Sequence, residues 1–149
     1  MKFHFGGKYS TDEDLKAKRE HLPLAVPFKE PGKNVFALLP HELLHALCFK
    51  EDVYLYYNPS RLLLFVHGVE SMTRARFVFL SLLPNIIFGF IPFVIFMIEP
   101  SLIRLGTMGI MSIGMGFGDY INVFNALTQM PKGAMTYLSG FHSYWYKEG

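Results

Sequence analysis

Two histidines and a glutamate lie in the leucine-rich segment LLPHELLHALCF, residues 38–49. Residues four apart share one face of a helix, so the imidazoles of His41 and His45 would point at the same site. This H-E-x-x-H spacing suits zinc, which binds neutral imidazole nitrogens and, in catalytic sites, keeps one position for water. The metal would lower the pKa of that water, and Glu42 would accept its proton and pass it to a leaving amine. The spacing therefore predicts hydrolysis by a metal-activated water.

The same positions also allow a structural interpretation, in which two core histidines accompany a glutamate that reaches solvent. A five-residue pattern can arise by chance. The apolar surroundings favour the functional interpretation, because an ionisable side chain in such surroundings is costly and by default marks a functional site. We expect His41 and His45 to bind zinc and Glu42 to act as the catalytic base.

A catalytic zinc usually has three protein ligands, so the chain must provide one more. Asp119 is the favoured candidate, because it is the only acid in the apolar segment 105–127. A carboxylate buried there costs several kcal/mol unless it is paired or bound to a metal. Arg104 cannot pair with it inside one helix, since the two would lie about 22 Å apart. The other candidates for the third ligand are Cys48, His67, Glu70 and His142.

Cys48 shares the face of His45, but three ligands from one helix would crowd the metal. A free cysteine is also commonly a small buried hydrophobe. Asn122 and Asn125 follow Asp119 at about one helical turn. Each could hydrogen-bond a zinc ligand or the substrate backbone, or could instead form a hydrogen bond between helices. The residues alone leave these alternatives open.

The elements that would hold these residues are mostly apolar. Hydrophobic residues make up 51% of the chain and charged residues only 17%, fewer than the usual quarter. Segment 77–98 is uncharged over 22 residues, which is long enough to cross a bilayer. Segment 105–127 is the second predicted span. Its small residues would let another helix approach closely, and they are Ser112, Gly114, Gly116 and Gly118.

Residues 1–33 are more polar than the rest of the chain. We expect a soluble N-terminal arm and linker there, with a short helix over 10–20 followed by a proline-rich extended stretch. The remaining residues, 34–149, would form a membrane-embedded zinc peptidase-like domain. The net charge of +2 is too small, and the basic residues too scattered, to predict nucleic-acid binding.

A short β-hairpin completes the predicted fold. Residues 53–67 combine strand-forming side chains with an Asn-Pro-Ser turn, which predicts two strands at the membrane interface. The sequence thus predicts a mainly α membrane protein, with a transmembrane helical hairpin, a short or re-entrant HExxH helix and a small interfacial β-hairpin. The aromatic tail, 135–149, would serve as an interfacial lid or anchor. Basic residues would place both ends of the helical hairpin in the cytosol, and they are Arg74, Arg76 and Lys132.

These features together resemble a known family. The sequence PHELLHALCF on a short helix, a hairpin, a proline-rich span and Gly-Asp in a later span are similar to the putative zincin peptidases of bacterial membranes. That family is similar in layout to the site-2 proteases. The resemblance runs from residue 34 to the tail. It implies zinc bound by His41, His45 and Asp119, catalysis by Glu42, and a multi-pass location in a bacterial cell membrane.

The chain departs from site-2 proteases in two respects. Their aspartate usually stands in a Leu-Asp-Gly context, whereas Asp119 lies between glycine and tyrosine. The chain is also short, and a second copy of it could replace a missing helix in a homo-oligomer.

The leading functional hypothesis is a small integral-membrane zinc metalloendopeptidase that acts on membrane or membrane-associated proteins. Segment 53–67 could pair with an unwound substrate by β-addition. The alternative hypothesis is a non-catalytic membrane protein with a structural or absent metal that binds a partner, and a fourth protein ligand such as Cys48 would favour it. Metal transport would need ligands across the bilayer, and the helical hairpin offers only Asp119.

Overall fold

A computed structural model describes residues 3–8, 26–27, 39–58, 63–139 and 142–147 of the chain. The predicted mainly helical fold with a β-hairpin is confirmed in this part of the chain, and the helix predicted over 10–20 lies outside it. The helices are α1 (Leu39–Cys48), α2 (Arg74–Asn85), a π-helical turn (Ile86–Phe90), α3 (Ile91–Ile98), α4 (Ile103–Met115) and α5 (Phe117–Gln129). The strands are β1 (Phe3–Lys8), β2 (Val26–Pro27), β3 (Val53–Asn58), β4 (Leu63–Gly68), β5 (Met72–Thr73), β6 (Met135–Ser139) and β7 (His142–Tyr146).

Helix α1 carries His41, Glu42 and His45 and is ten residues long. Pro40 lies in its first turn, where the missing N–H has no intrahelical partner to lose. Ten residues rise about 15 Å, roughly half the hydrocarbon thickness of a bilayer. Helix α1 is therefore too short to cross a membrane on its own.

The C-terminal end of α1 is tied to the start of α2 through Arg76, which also forms an ion pair with Glu70. The Arg76 guanidinium also donates to the carbonyl oxygen of Cys48, at 2.7 Å, and so satisfies one of the unpaired carbonyls at the end of α1. The buried Glu70 carboxylate accepts the backbone N–H groups of Lys50 and Glu51. These contacts hold the motif-bearing helix against the long helix.

The two strands predicted over 53–67 are present as β3 and β4, which pair in antiparallel fashion. Strand β1 adds to β3 in parallel, so the order of this sheet is β1-β3-β4 and β4 forms one edge. A second sheet has the order β2-β7-β6-β5. Its inner strands come from the aromatic tail, which pairs as a β-hairpin. These tail strands were not predicted from the sequence.

Helix α2, the π-helical turn and α3 form one continuous helix over Arg74–Ile98, 25 residues long. Pro92 has no N–H and its ring crowds the carbonyl four residues earlier, so a regular hydrogen-bond ladder cannot pass it. The chain adapts in the preceding turn, where the N–H of Ile91 bonds to the carbonyl of Ile86, five residues back. Within the described residues, this is the one helix whose length and composition would let it cross a membrane.

The second predicted span, 105–127, is divided at Gly116, and the prediction of one continuous helix there is wrong. Gly116 has φ −71° and ψ 7°, which ends α4 and starts α5. The side chain of Asn85 occupies the space beside this glycine, and a Cβ added at Gly116 would lie 1.7 Å from Asn85 Oδ1. Helix α4 packs on α3 and the π-helical turn, whereas α5 packs mainly on α2. The break therefore lets the two helices face different neighbours.

The close approach between α4 and the long helix depends on a glycine that was not predicted, Gly109. A Cβ added at Gly114 would meet nothing within 4 Å. Gly109 instead forms the contact between α4 and the long helix, because a Cβ added there would lie 2.8 Å from both the Gly89 carbonyl oxygen and the Phe93 amide nitrogen. Both neighbouring atoms belong to the backbone, so they cannot yield by a side-chain rotation.

Gly109→Ala should destabilise the chain by about 1–3 kcal/mol, because the added methyl group forces α4 away from the long helix. The matched control is Gly114→Ala in the same helix. Its added methyl group faces open space, so we expect no loss, or a gain of up to about 1 kcal/mol from better helix propensity. Thermal unfolding of both purified variants in detergent measures the difference. Equal stabilities of the two variants would contradict this packing.

The buried core lies among α1, α2, α5 and the strands beside them. Its members are Ala46, Phe49, Val53, Met72, Phe77, Leu80, Ala126, Met130 and Ala134. Helices α3 and α4 provide none of these residues and instead carry many exposed large apolar side chains. These include Ile91, Val94, Ile95, Met97, Ile98, Ile103, Met108, Ile110 and Met111. The fold is therefore divided into a packed half around the motif and a helical half with an apolar surface.

Candidate metal centre

Three side chains from two distant segments converge at one buried point. His41 Nε2 lies 3.0 Å from Asp119 Oδ2, and His45 Nε2 lies 3.5 Å from Asp119 Oδ1. The two Nε2 atoms are 3.1 Å apart. Helix α1 presents both histidines and helix α5 presents the aspartate, and all three side chains are buried. The structure thus brings together the three residues that the sequence analysis assigned to zinc, although Asp119 lies 78 residues after His41.

The spacing of these atoms fits a zinc ion. Ligands held tetrahedrally at about 2.0–2.1 Å from zinc lie about 3.3–3.4 Å from one another. The two Nε2 atoms lie 3.1 Å apart, and they lie 3.0 and 3.5 Å from different oxygens of the Asp119 carboxylate, close to this value. Two imidazole nitrogens and a carboxylate are also the donor types that zinc prefers. His41, His45 and Asp119 could therefore hold zinc with small adjustments of their side chains.

The position of Asp119 follows from the break at Gly116. The break starts a new helix, α5, and Asp119 lies in its first turn. Free backbone N–H groups and the helix dipole favour a negative charge at such a position. The carboxylate also accepts a hydrogen bond at 2.8 Å from the side-chain amide of Asn85 in α2.

Glu42 lies beside the histidines and contacts the edge strand of the three-stranded sheet. One ligand-capable atom from each of His41, Glu42 and His45 lies within 4.8 Å of the others. Glu42 Oε2 accepts the backbone N–H of Val66 in β4, at 2.9 Å. This hydrogen bond orients the carboxylate, and it joins the motif helix directly to the edge of β4 that faces away from β3.

The electrostatics of α1 reflect its burial. Burial raises the pKa of the Glu42 carboxyl, and the nearby imidazoles of His45 and His41 only partly oppose this rise. Burial disfavours the charged form of His45, but the hydrogen bond and charge of Asp119, the charge of Glu42 and the backbone of Leu80 together raise the pKa of His45. A carboxyl with a raised pKa is a better proton acceptor than an ordinary one.

The other candidates for the third ligand have different surroundings. Glu70 is engaged by Arg76 and by two backbone N–H groups. His142 lies in β7, with its ring against that of Tyr144. Cys48 is half-buried at the end of α1, and it lies outside the group formed by His41, Glu42 and His45. His67 is buried in β4.

The two asparagines named with Asp119 differ in exposure. Asn125 is buried and accepts a hydrogen bond at 2.9 Å from the side-chain amide of Gln129, on the same helix. Asn122 is half-buried. A role of either side chain toward zinc or substrate stays a prediction.

Sequence reasoning missed Asn85, whose side chain contacts Asp119. Asn85 is fully buried in α2, directly after Pro84. The signal was available, because a primary amide inside the uncharged segment 77–98 needs polar partners. The hydrogen bond from Val66 to Glu42 was also missed. A backbone donor carries no sequence signature, so no residue type could have indicated it.

Comparison with protein families and known proteins gives one positive finding. A family model described as "Putative zincin peptidase" matches residues 35–135, which is more than half of the chain. The match includes His41, Glu42, His45 and Asp119. Neither the curated proteins nor the solved structures contain a match to the chain.

Proposed function

Because the chain belongs to the putative zincin peptidase family, we propose that it is an integral-membrane zinc metalloendopeptidase of the HExxH type, with a site similar in layout to that of site-2 proteases. The observation that carries the proposal is the convergence of His41, His45 and Asp119, with Glu42 beside them. Neither a pair of core histidines nor an isolated buried carboxylate would need this arrangement.

The residues have distinct roles in this proposal. Zinc held by His41, His45 and Asp119 would act as a Lewis acid toward a peptide carbonyl and would activate water. Glu42 is the general base and then the general acid. Its Oε2 is held by the Val66 N–H, so its Oε1 is the atom that would take the proton and return it to the leaving nitrogen.

Strand β4 offers a place for the substrate backbone. It is an edge strand, and the Val66 N–H points away from β3 toward Glu42. Backbone groups alternate in direction along a strand, so those of Leu64 and Gly68 also face the free edge. A substrate segment in extended form could add to this edge and bring one peptide bond to Glu42.

The apolar surface of the helical half supports a membrane location. The helix Arg74–Ile98 is long enough for a bilayer, and α3 and α4 expose large aliphatic side chains. In water these side chains would form a large apolar patch, which soluble monomers rarely carry. We therefore propose membrane proteins as substrates, cleaved where a helix has unwound.

Metal removal tests the proposal. The full chain would be reconstituted in vesicles with a reporter that has one transmembrane helix containing Gly-Pro breaks, and cleavage would be followed on gels. We expect 1,10-phenanthroline to stop cleavage and added zinc to restore it. The isomer 1,7-phenanthroline, which does not chelate, is the matched control and should leave cleavage unchanged. A chain that binds zinc and cleaves no reporter would favour the non-catalytic alternative.

A further inference from the structure

We propose that Asn85 is a positioning residue for the metal centre: its side-chain amide fixes the Asp119 carboxylate in the orientation that meets both histidines. This inference rests on the zinc site of the proposed function, but it does not depend on peptide hydrolysis. Asn85 lies in α2, 34 residues before Asp119. Among the described residues, it forms no hydrogen bond with His41 or His45.

The hydrogen bonds of Asn85 define its orientation. Its Nδ2 donates to Asp119 Oδ2 at 2.8 Å and to the carbonyl oxygen of Ser81 at 3.2 Å. The Ser81 carbonyl and an ionised Asp119 carboxylate can only accept hydrogen bonds, so the NH₂ end of the Asn85 amide must face them. Its Oδ1 accepts the hydroxyl of Tyr120 at 3.3 Å. The amide is thus held at both ends, and only one of its two rotations is compatible with these partners.

The burial of Asn85 shows that this arrangement is specific. Its exposure is 0%, and burial of a primary amide without hydrogen-bond partners would destabilise the fold. Leucine would fill the same place in an apolar helix without that cost. The polar side chain is therefore explained by what it holds, and the group it holds is the carboxylate of Asp119.

Gly116 provides the space that this amide needs. A Cβ added at Gly116 would lie 1.7 Å from Asn85 Oδ1, 2.4 Å from its Cγ and 2.8 Å from its Nδ2. All three nearest atoms belong to Asn85, so a side chain at 116 would first push this amide. The glycine that ends α4 is therefore matched to the asparagine that orients Asp119.

Ligand-orienting hydrogen bonds of this kind typically change metal affinity by about 10–100-fold when they are removed. The amide donates to one oxygen of Asp119 and leaves the carboxylate free to present its two oxygens to His41 and His45, at 3.0 and 3.5 Å. Without that donor, the carboxylate could rotate and the three ligand atoms would no longer be held together.

A double-mutant cycle tests this role with two separate measurements. The purified chain, Asn85→Ala, Gly116→Ala and the double variant would each be titrated with zinc against a chelating indicator. The thermal stability of each would be measured without metal. We expect all three variants to bind zinc about 10–100-fold more weakly than the parent chain. We also expect Asn85→Ala to relieve the clash of Gly116→Ala, so the metal-free double variant should unfold at a higher temperature than Gly116→Ala alone.

The control is Ser112→Ala, which removes another buried polar group from the helical half. Ser112 is 1% exposed and its hydroxyl has no hydrogen-bond partner among the described residues, so the zinc affinity of this variant should stay within about twofold of that of the parent chain.

Asn85→Asp, which keeps the shape of the side chain but replaces the hydrogen-bond donor by an acceptor, should also lower the zinc affinity. Unchanged zinc affinity in Asn85→Ala and Asn85→Asp would overturn the positioning role. Restored affinity in the double variant would also overturn it, because the loss would then be only structural. Zinc affinity is measured without substrate, so a failure of the peptidase proposal would show separately, as absent reporter cleavage by the parent chain.

Discussion

Glu42→Gln is expected to reduce cleavage of the transmembrane reporter by about 10²–10⁴-fold while zinc stays bound at about one ion per chain. Glutamine has nearly the same shape as glutamate, and its amide oxygen can still accept the Val66 N–H that now bonds to Glu42 Oε2. It cannot accept a proton from water at neutral pH. The variant therefore removes proton transfer and preserves the packing of a side chain that is only 2% exposed.

A second glutamate provides the control for this variant. Glu51 follows α1, its side chain is exposed, and only its backbone N–H contacts Glu70. Glu51→Gln changes the net charge by the same amount, and we expect it to leave both cleavage and zinc content unchanged. Normal cleavage by Glu42→Gln, with zinc content measured in the same samples, would show that the assigned base is wrong.

The second large effect is expected from removal of the two imidazoles. The variant with His41→Ala and His45→Ala should lose zinc, from about one ion per purified chain to nearly none, because only Asp119 would remain of the three converging ligands. Asp119→Ala alone should also fail to retain zinc through gel filtration, since a catalytic zinc usually needs three protein ligands. Elemental analysis of the purified chains measures both.

Zinc should also stabilise the parent chain against unfolding, since a ligand that binds only the folded state shifts the folding equilibrium. Added zinc should therefore raise the melting temperature of the parent chain and leave that of the double histidine variant unchanged. His142→Ala is the matched histidine control, and it should behave as the parent chain does. Loss of zinc from His142→Ala, or full retention by Asp119→Ala, would require a different ligand set.

Several features of this site were predictable from residue types. Histidines four apart in an apolar segment indicate one shared face, and a single acid in the later apolar segment is costly unless it has a partner. Those two arguments led to His41, His45 and Asp119, which the structure places within 3.5 Å of one another. The two strands of the β-hairpin were predicted for a similar reason, because β-branched and aromatic residues flank a clear turn.

Other features depend on contacts that no local pattern reveals. Composition favoured one helix over 105–127, and it could not show that the helix breaks at Gly116, where the side chain of Asn85 leaves no space for a Cβ. Among the predicted small residues, Gly116 lies against Asn85 but Gly114 faces open space, and Gly109 forms the contact between α4 and the long helix instead. The spacing of the glycines did not show which face of α4 meets the long helix. The tail strands, which pair with each other, were not predicted, and the strands that flank them, β2 and β5, are each only two residues long.

The length of the long helix has a consequence for how deep the reaction would take place. Asn85 ends the first 12 residues of a helix that continues to Ile98, so the Asp119 carboxylate lies about 17 Å from the start of that helix. If this helix crosses a bilayer as proposed, the carboxylate would lie close to the midplane. The peptide bond to be cleaved would have to reach that depth without its hydration shell, and water would also need access to the site. We would then expect turnover to depend on how readily a substrate helix unfolds at that depth and on the thickness of the surrounding lipid, rather than on the residues next to the cleaved bond.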